Sequence, residues 1–448
     1  MQRTYEHIGV HVPEIMLPAK GTDLGKWAVV ACDQYTSQPD YWEKATSIAG
    51  DSPSTLHLTF PEIYLKDDDK DKRIININSS MEKYLQQGIL EPLKPGFILV
   101  DRHISGTGSR KGLIIAVDLE KYNYNAGSQT LIRATEGTVL DRIPPRVKIR
   151  EHAQIELPHI LLLIDDPDKT VIEALFERVE KYEKLYDFQL MLDGGHIKGW
   201  KIDDENSLST IVKALEKLAD PSAFVEKYGT GPEKGVLLFA AGDGNHSLAA
   251  AKAHWENVKA SLGCGEINHP ARFALVELVN VHDSGIFFEP IHRVLFGIDR
   301  QKVLDEITQI CPNCSCRLYE NKTVMEETAK SLKEDNTIHV IPFILEGTYG
   351  HIIVSNPVYN LEVGTLQSLL DRLVKGHDDM EVDYIHGDEV VTELGSKKGN
   401  MGFYLPAMDK HDLFKTVILE GVLPRKTFSM GAANEKRYYL ECRKIKRE

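Results

Sequence analysis

One segment constrains the fold of this 448-residue chain more than any other, because a strand, a glycine-containing turn and a helix can be recognised in direct succession. Every residue from Val236 to Ala241 is apolar, which predicts a buried strand. Beyond the turn, apolar residues recur at steps of three and four from Leu248 to Leu262, the spacing of a helix with one buried face. This order predicts an α/β unit whose strand ends where its helix begins.

The turn between strand and helix has the composition of an anion site. It consists of Gly242, Asp243, Gly244, Asn245, His246 and Ser247. Backbone N–H groups and the positive end of the helix dipole favour a phosphate at such a position, and glycine lets the backbone approach it. The functional interpretation makes Asp243 and His246 catalytic and assigns phosphate binding to the other four residues. In the structural alternative, Asn245 or Ser247 caps the helix and His246 is solvated.

Composition restricts the partner and the compartment. A net charge of −14 disfavours nucleic acid, whose binding needs clustered Lys and Arg, and favours a small-molecule substrate. No apolar run approaches the ~20 residues of a membrane span, and the N-terminal residues do not resemble a secretory signal. We therefore expect a cytoplasmic protein without membrane contact, whose oligomeric state the sequence does not determine.

Three cysteines lie close together, at Cys311, Cys314 and Cys316. A metal site usually requires a fourth soft ligand, and no second CxxC or nearby HxxxH supplies one. Metal or redox chemistry stays open as the less favoured alternative. The favoured interpretation is ordinary thiols at the start of a strand over residues 315–319.

Three further clusters combine charge with hydroxyl groups or glycine. Glu136 lies between two threonines in a glycine loop and is a candidate general base, with a solvated loop acid as the more common alternative. Arg293 follows a predicted strand and is a candidate phosphate ligand, or else a structural ion-pair partner. Lys426 and Thr427 suit a phosphate, although a solvated loop would have the same composition.

Predicted strands and helices alternate without a long linker, which favours closely packed mixed α/β domains. We expect a two- to three-lobed mixed-sheet protein divided at 1–165, 166–299 and 300–448, with the turn in the middle part. Two expectations are specific. One is a hairpin formed by Phe97–Asp101 and Lys111–Asp118, and the other is a helix from Lys169 to Tyr186.

The order of these clusters resembles the bacterial and archaeal family designated domain of unknown function 1015. Its members carry an acid–glycine–His–His–Arg turn, an earlier HE-x-T-like loop, a later Pro-x-His-Arg segment and a terminal Pro-x-Lys-Ser/Thr motif. The similar segments here are 243–247, 135–138, 290–293 and 424–427. The loop at 31–35 resembles a further family segment, which implies that Asp33, Gln34 and Tyr35 bind substrate.

The sequence departs from the family pattern where a phosphate would need positive charge. Ser247 replaces the family's arginine, whereas Asp243 is kept. The missing charge would have to come from Arg293, from Lys426 or from the basic residues between 142 and 150. Otherwise the ligand is less anionic than a nucleoside polyphosphate.

The unit around the turn is also similar to the ParB and sulfiredoxin superfamily, in which an equivalent turn holds nucleotide phosphates. Free serine kinases built on that fold imply phosphoryl transfer to a small hydroxyl compound. These resemblances predict a phosphotransferase that uses a nucleotide or pyrophosphate donor with Mg²⁺. Glu136 or Asp243 would accept the proton of the alcohol. Lys426 and Arg293 would offset the developing charge.

Two other functions stay open at this point. One is a nucleotide-binding regulator, whose ligand alters partner contacts without turnover. The other is a ParB-like DNA-binding protein, which the charge of −14 disfavours.

Overall fold

The computed structural model of the protein describes residues 3–262, 269–332, 335, 337–377 and 379–447. The chain groups into two units, one formed by Met1–Phe287 with Met430–Glu448 and the other by Phe288–Ser429. The expected division near residue 299 lies close to the start of unit 2. The expected division at residue 165 falls inside unit 1, because the strand that ends there pairs with strands from later in the chain.

The larger unit is a mixed α/β structure. Its strands up to residue 287 are β1 (Thr4–Tyr5), β2 (Val10–His11), β3 (Met16–Pro18), β4 (Val29–Val30), β5 (Leu90–Pro92), β6 (Phe97–Ile104), β7 (Gly108–Asp118), β8 (Tyr122–Asn123), β9 (Ile132–Ala134), β10 (Ile155–Glu156), β11 (Leu161–Ile164), β12 (Glu183–Gln189), β13 (His196–Ile202), β14 (Phe239–Asp243) and β15 (Phe273–Asn280). Its α-helices are α1 (Leu24–Trp27), α2 (Pro39–Ala49), α3 (Lys70–Gln86), α4 (Ile143–Glu151), α5 (Glu173–Phe176), α6 (Glu205–Leu218), α7 (Pro221–Tyr228) and α8 (Asn245–Leu262).

Within the described residues, the main sheet of unit 1 has 11 strands, nine of them in the order β12-β13-β6-β7-β15-β11-β14-β9-β8. β2 also pairs with β7, and β1 pairs with β2. Most neighbours are antiparallel, but β11 runs parallel to β15, and β9 runs parallel to both β14 and β8. Because β9 and β14 end at the same edge of the sheet, the loops that follow them are neighbours. This pairing positions the candidate site.

The two faces of this sheet carry separate cores, as the two-residue period of a strand requires. Leu113 and Ile115 of β7 pack with α6 and α8 on one face. Ile114, between them, packs with α2 and α3 on the other. Asp204, the residue before α6, caps this helix, because its carboxylate accepts from the Ser207 backbone N–H at 2.9 Å.

One specific expectation is confirmed and the other is wrong. β6 and β7 form the predicted antiparallel hairpin, with Ile98 opposite Ile114. The predicted helix from Lys169 to Tyr186 is absent, because Lys169 has a φ of +56° and only the short α5 forms. The last four residues of that segment, 183–186, belong to β12, which pairs with β13 at the end of the sheet. Its charged residues suit an edge strand, where they face water.

The C-terminal segment returns to unit 1 after unit 2. Unit 2 contains the strands β16 (Phe288–Phe296), β17 (Cys314–Tyr319), β18 (Ile338–Leu345), β19 (Thr348–Ser355), β20 (Glu381–His386), β21 (Asn400–Phe403) and most of β22 (Phe428–Met430). Its helices are α9 (Val303–Ile310), α10 (Lys322–Leu332), α11 (Glu362–Lys375), α12 (Asp388–Gly395) and α13 (Leu413–Glu420). The returning segment adds β23 (Tyr438–Tyr439), which pairs with β4, and β24 (Arg443–Lys444), which pairs with β10.

Unit 2 is a second α/β layer structure. In the part of the chain that is described, its sheet has seven strands, six of them in the order β17-β19-β18-β21-β16-β20. Phe343 of β18 packs with α9 and α11, whereas the next residue, Ile344, packs with α10 and α12 on the opposite face. β17 begins at Cys314, close to the predicted start, but the expectation of ordinary thiols is wrong for Cys311 and Cys314, which form a disulfide, whereas Cys316 is free.

Among the described residues, no helix combines the length and the apolar character that crossing a membrane requires.

Candidate functional site

The turn after β14 has the geometry that its glycines predict. β14 extends two residues beyond the expected strand, so that Asp243 still pairs with Leu161, and α8 begins at Asn245. Gly244 joins them with a φ of +75°, in the left-handed region that L side chains rarely adopt. A Cβ there would lie 3.0 Å from Cα of Ile160. Only glycine therefore makes this connection without strain.

Asp243 is paired with a lysine that the sequence analysis did not select. One carboxylate oxygen, Oδ2, lies 3.1 Å from Nζ of Lys436, and the other accepts from the Gly244 backbone N–H at 2.8 Å. Lys436 is nearly buried and comes from the C-terminal segment. Its cation lies at the start of α8, where the sequence lacks the arginine of the resembling family. The adjacent basic pair Lys436-Arg437 was the signal available in the sequence.

The loop that carries Glu136 adjoins this turn, as the parallel pairing of β9 with β14 dictates. Oδ1 of Asn245 accepts from the Thr135 backbone N–H at 3.3 Å, and Nδ2 donates to the Ala241 carbonyl at 3.2 Å. Nε2 of His246 accepts from the Val139 backbone N–H at 3.2 Å. These contacts bring two separately predicted clusters together, and they use the Asn245 and His246 side chains to tie the loop to α8.

A buried histidine, which the sequence analysis also missed, connects α8 to the loop at 31–35, called the early loop below. Nε2 of His159 lies 3.1 Å from Oγ of Ser247 and 3.6 Å from Oδ2 of Asp33. Its other nitrogen, Nδ1, lies 2.7 Å from the Tyr439 hydroxyl. Gln34 donates from Nε2 to Asp33 at 2.9 Å. The structure thus gathers Asp33 and Ser247 around one imidazole, next to the apolar strand that starts at Leu161.

This cluster differs from the triad of a serine hydrolase. In such a triad the acid orients one imidazole nitrogen while the serine uses the other. Here Asp33 and Ser247 face the same nitrogen of His159, and Tyr439 occupies the second. The arrangement therefore provides hydrogen bonds and charge but not the serine-activating relay.

Charge around the early loop favours an ionised carboxylate and a neutral thiol. Burial opposes ionisation of Asp33, but His159, the Gln34 amide and Lys436 outweigh it, so the pKa of Asp33 is lowered. Burial, reinforced by the charges of Asp33 and Glu62, raises the pKa of the Cys32 thiol far above its usual range. Cys32 is consequently a neutral polar contact rather than a nucleophile.

Tyr35, the third member of the predicted substrate loop, turns away to a different cavity. Its backbone has a φ of +52° and its ring stacks on Tyr41 with centroids 3.7 Å apart. That cavity, of about 530 Å³, is lined by both tyrosines together with Asp193 and Asn434.

The remaining predicted ligands belong to unit 2. Arg293 is fully buried, and its guanidinium donates to Oε1 of Gln367 at 3.1 Å and to the carbonyls of Ile291 and Arg425. Lys426 follows Arg425 with a φ of +58°. Oγ1 of Thr427 donates to the Pro424 carbonyl at 2.6 Å. The structure therefore brings the Arg293 and Lys426 clusters together within unit 2, where these contacts support the structural alternative for Arg293.

The side chains around the turn can also be considered as metal ligands. Within the described ranges, no group of three or more His, Cys, Asp or Glu side chains is arranged to hold a metal ion. Magnesium differs from zinc in this respect, because one or two carboxylates and the substrate phosphates commonly complete its coordination. Asp243 fits the role of such a carboxylate, since it lies beside the start of α8, where the phosphate is expected.

Comparisons with known proteins identify one sequence family. The sequence pattern of the family described as "Protein of unknown function (DUF1015)" matches residues 16–415. No curated protein sequence matches the chain.

Three solved structures match most of this chain at low sequence identity and low TM-score. The first is a conserved hypothetical protein from Pyrococcus furiosus with 13% sequence identity and a TM-score of 0.34. The match covers 73% of this chain and 90% of that chain. A free serine kinase in complex with AMP has 11% identity, coverage of 74% and 91%, and a TM-score of 0.35. SbnI with a C-terminal truncation, from Staphylococcus aureus, has 9% identity, coverage of 71% and 82%, and a TM-score of 0.33.

Proposed function

The chain belongs to the DUF1015 family, and we propose that it is a phosphotransferase acting on an alcohol, with a nucleotide or pyrophosphate as the donor. The observation that carries this proposal is the ion pair of Asp243 with Lys436 at the start of α8. Phosphoryl transfer depends mainly on positioning and charge neutralisation. A lysine, a carboxylate and a helix N-terminus in one place supply both.

The reaction is assigned to residues around the turn. Donor phosphates lie against the first turn of α8 and draw Lys436 from Asp243 onto a phosphate oxygen. The alcohol oxygen forms a bond to the terminal phosphorus while the bond from that phosphorus to the bridging oxygen breaks. The shortened donor leaves, and the hydroxyl proton passes to the carboxylate of Glu136 or Asp243.

When bound, Mg²⁺ would neutralise charge on the donor phosphates, and Asp243 is the residue that would hold it. This assignment fits the pairing of Asp243 with a lysine rather than with an arginine fork. Lysine is a point charge that can shift between two oxygens, whereas a bidentate arginine pair is fixed in geometry.

The same proposal includes two finer points. The first is that the segment from α6 through β15 is a ParB- and sulfiredoxin-like unit, supported by its order of two helices, strand, turn, helix and strand. The second is the cytoplasmic location that we expect from the sequence for a protein with small-molecule substrates.

One observation favours the regulator as a second candidate. Asn245 and His246 hold the backbone of residues 135–139 through their side chains. A ligand seated at the turn would compete for these groups and move the loop, which is what a switch requires.

Phosphorus NMR tests the proposal. The protein is incubated with ATP, ADP, CTP or pyrophosphate, Mg²⁺ and a pool of hydroxylated metabolites, and a new phosphomonoester signal is expected. Asp243→Ala should abolish that signal. Asp187→Ala is the matched control, because Asp187 is also paired with a lysine, Lys184 at 2.8 Å, but on the surface. Absence of turnover with every donor would overturn the proposal, and calorimetric binding without turnover would favour the regulator.

A further inference from the structure

A cavity of about 140 Å³ lies beneath the first turns of α8 in unit 1. Ser247 and Ala250, one turn apart on that helix, form part of its wall. His159, Cys32 and Tyr439 line it as well. The cavity therefore meets the His159 cluster described above and adjoins the proposed phosphate position.

Most of the remaining wall is apolar. Leu58, Phe60, Met81, Ile149, Ile155 and Ile160 contribute to it. A dry cavity of roughly 150 Å³ lined by aliphatic and aromatic side chains binds benzene, so this one accommodates an apolar group of about six non-hydrogen atoms.

The charged residues of the wall are already held in ion pairs. Arg146 forms one with Glu62, and Arg150 forms one with Glu156, which also pairs with Arg443 at 2.8 Å. The carboxylate or the ammonium group of an amino acid would therefore have to displace an existing partner. Breaking a largely buried ion pair to bind such a group would lose more free energy than the new contact would recover. The wall is thus suited to an uncharged body with a single polar end.

We propose that this cavity is the acceptor pocket, and that it selects an alcohol with a branched or aromatic apolar body rather than a small polar one. The apolar body fills the space between Phe60 and Ile160, and the hydroxyl lies at the His159 and Ser247 end. Ser247 then serves the acceptor as well as the helix terminus. This accounts for a small hydroxyl residue where the resembling family carries arginine. The assignment of the bound alcohol as an acceptor rests on the proposed phosphotransferase function.

Ligand-detected NMR tests the pocket without requiring turnover. Benzyl alcohol and 3-methyl-1-butanol are compared with glycerol and L-serine, and the first two are expected to bind at least tenfold more tightly. Ala250→Leu fills the cavity from α8 and should weaken benzyl alcohol binding at least tenfold. Ala260→Leu makes the same change at an exposed position of the same helix and should have no effect.

A second variant guards against misfolding of the first. Leu65 lines the cavity but is only partly buried, so Leu65→Trp should fold and still exclude benzyl alcohol. Equal or tighter binding of L-serine, or unchanged benzyl alcohol binding in both filled variants, would overturn the pocket. Benzyl alcohol that binds here but is phosphorylated by no donor would overturn the phosphotransferase instead and leave the pocket assigned.

Discussion

The turn at Asp243–Ser247 in unit 1 and the Arg293 cluster in unit 2 are both predicted to bind phosphate, yet their polar groups are used differently. Asp243 and Lys436 hold each other through one ion pair at a helix start. All three side-chain nitrogens of Arg293 donate hydrogen bonds, one to Gln367 and the others to backbone carbonyls. The guanidinium carbon also lies 4.7 Å from the centre of the Tyr384 ring.

This difference distinguishes a candidate anion-binding site from a residue with a structural role. A lysine ammonium paired with one carboxylate can transfer to a phosphate at small cost, because the exchange replaces one anion by another. A buried guanidinium that satisfies several protein acceptors cannot leave them without exposing unsatisfied groups. Basic residues in similar motifs can therefore have opposite roles, and the following changes test that contrast.

Arg293→Met should have the largest effect, on stability. It leaves Gln367 and two carbonyls in a buried environment without their donor, and we expect a loss of about 3 kcal/mol or more in the free energy of unfolding. Denaturant unfolding measures it, with the exposed Arg300→Met as the control. Normal stability combined with lost pyrophosphate binding would instead make Arg293 a phosphate ligand.

Lys436→Met should weaken pyrophosphate and ATP binding about 100-fold, which is about 2.7 kcal/mol. The reason is the loss of the cation nearest the start of α8. Isothermal titration calorimetry compares Lys436→Met with Lys426→Met. If unit 1 carries the anion site, we expect the affinity of Lys426→Met to change less than about threefold. The reverse order of effects would assign the anion site to unit 2.

Gly244→Ala should cost about 1–3 kcal/mol, because alanine is strained at a φ of +75° and its Cβ would meet Ile160. Thermal unfolding and calorimetry are the measurements, and both the unfolding midpoint and the affinity for pyrophosphate should fall. Gly137→Ala, in the neighbouring loop with nothing within 4 Å of its Cβ, should be neutral. If both variants behave alike, backbone geometry at the turn does not matter.

The smallest effect should be a shared acid sensitivity of the two units. Burial, together with Arg150, lowers the pKa of His254 to about 4, and burial lowers that of His351 to about 4. Between pH 6.5 and 4 the unfolded chain binds protons that the folded state does not, so stability falls as the pH falls. We expect about 1 kcal/mol per histidine between pH 6.5 and 5.5.

The slope of unfolding free energy against pH measures this sensitivity. His254→Gln should reduce the slope through unit 1 and His351→Gln through unit 2. An unchanged slope in both variants would contradict the assignment of these histidines as buried and neutral.

Local signals in the sequence predicted much of the fold around the turn. The apolar run before it, the glycine within it and the helical spacing after it correspond to β14, Gly244 and α8. The segment from Lys169 to Tyr186 was misjudged because an edge strand with charged residues on its open side lacks a strong strand pattern. Its pairing with β13 decides its structure, and pairing is not a local property.

Local patterns are enough to define the strand–turn–helix unit, because the period of apolar residues and the need for glycine at positive φ act within a few residues. The groups that surround this unit depend on tertiary packing. Parallel pairing of β9 with β14 delivers the Glu136 loop, and the returning C-terminal segment delivers Lys436 and Tyr439. His159, although next to an apolar strand, becomes significant only where Asp33 and Ser247 converge on it. Contacts across such separations follow from how the sheets and helices close on one another, which no local pattern encodes.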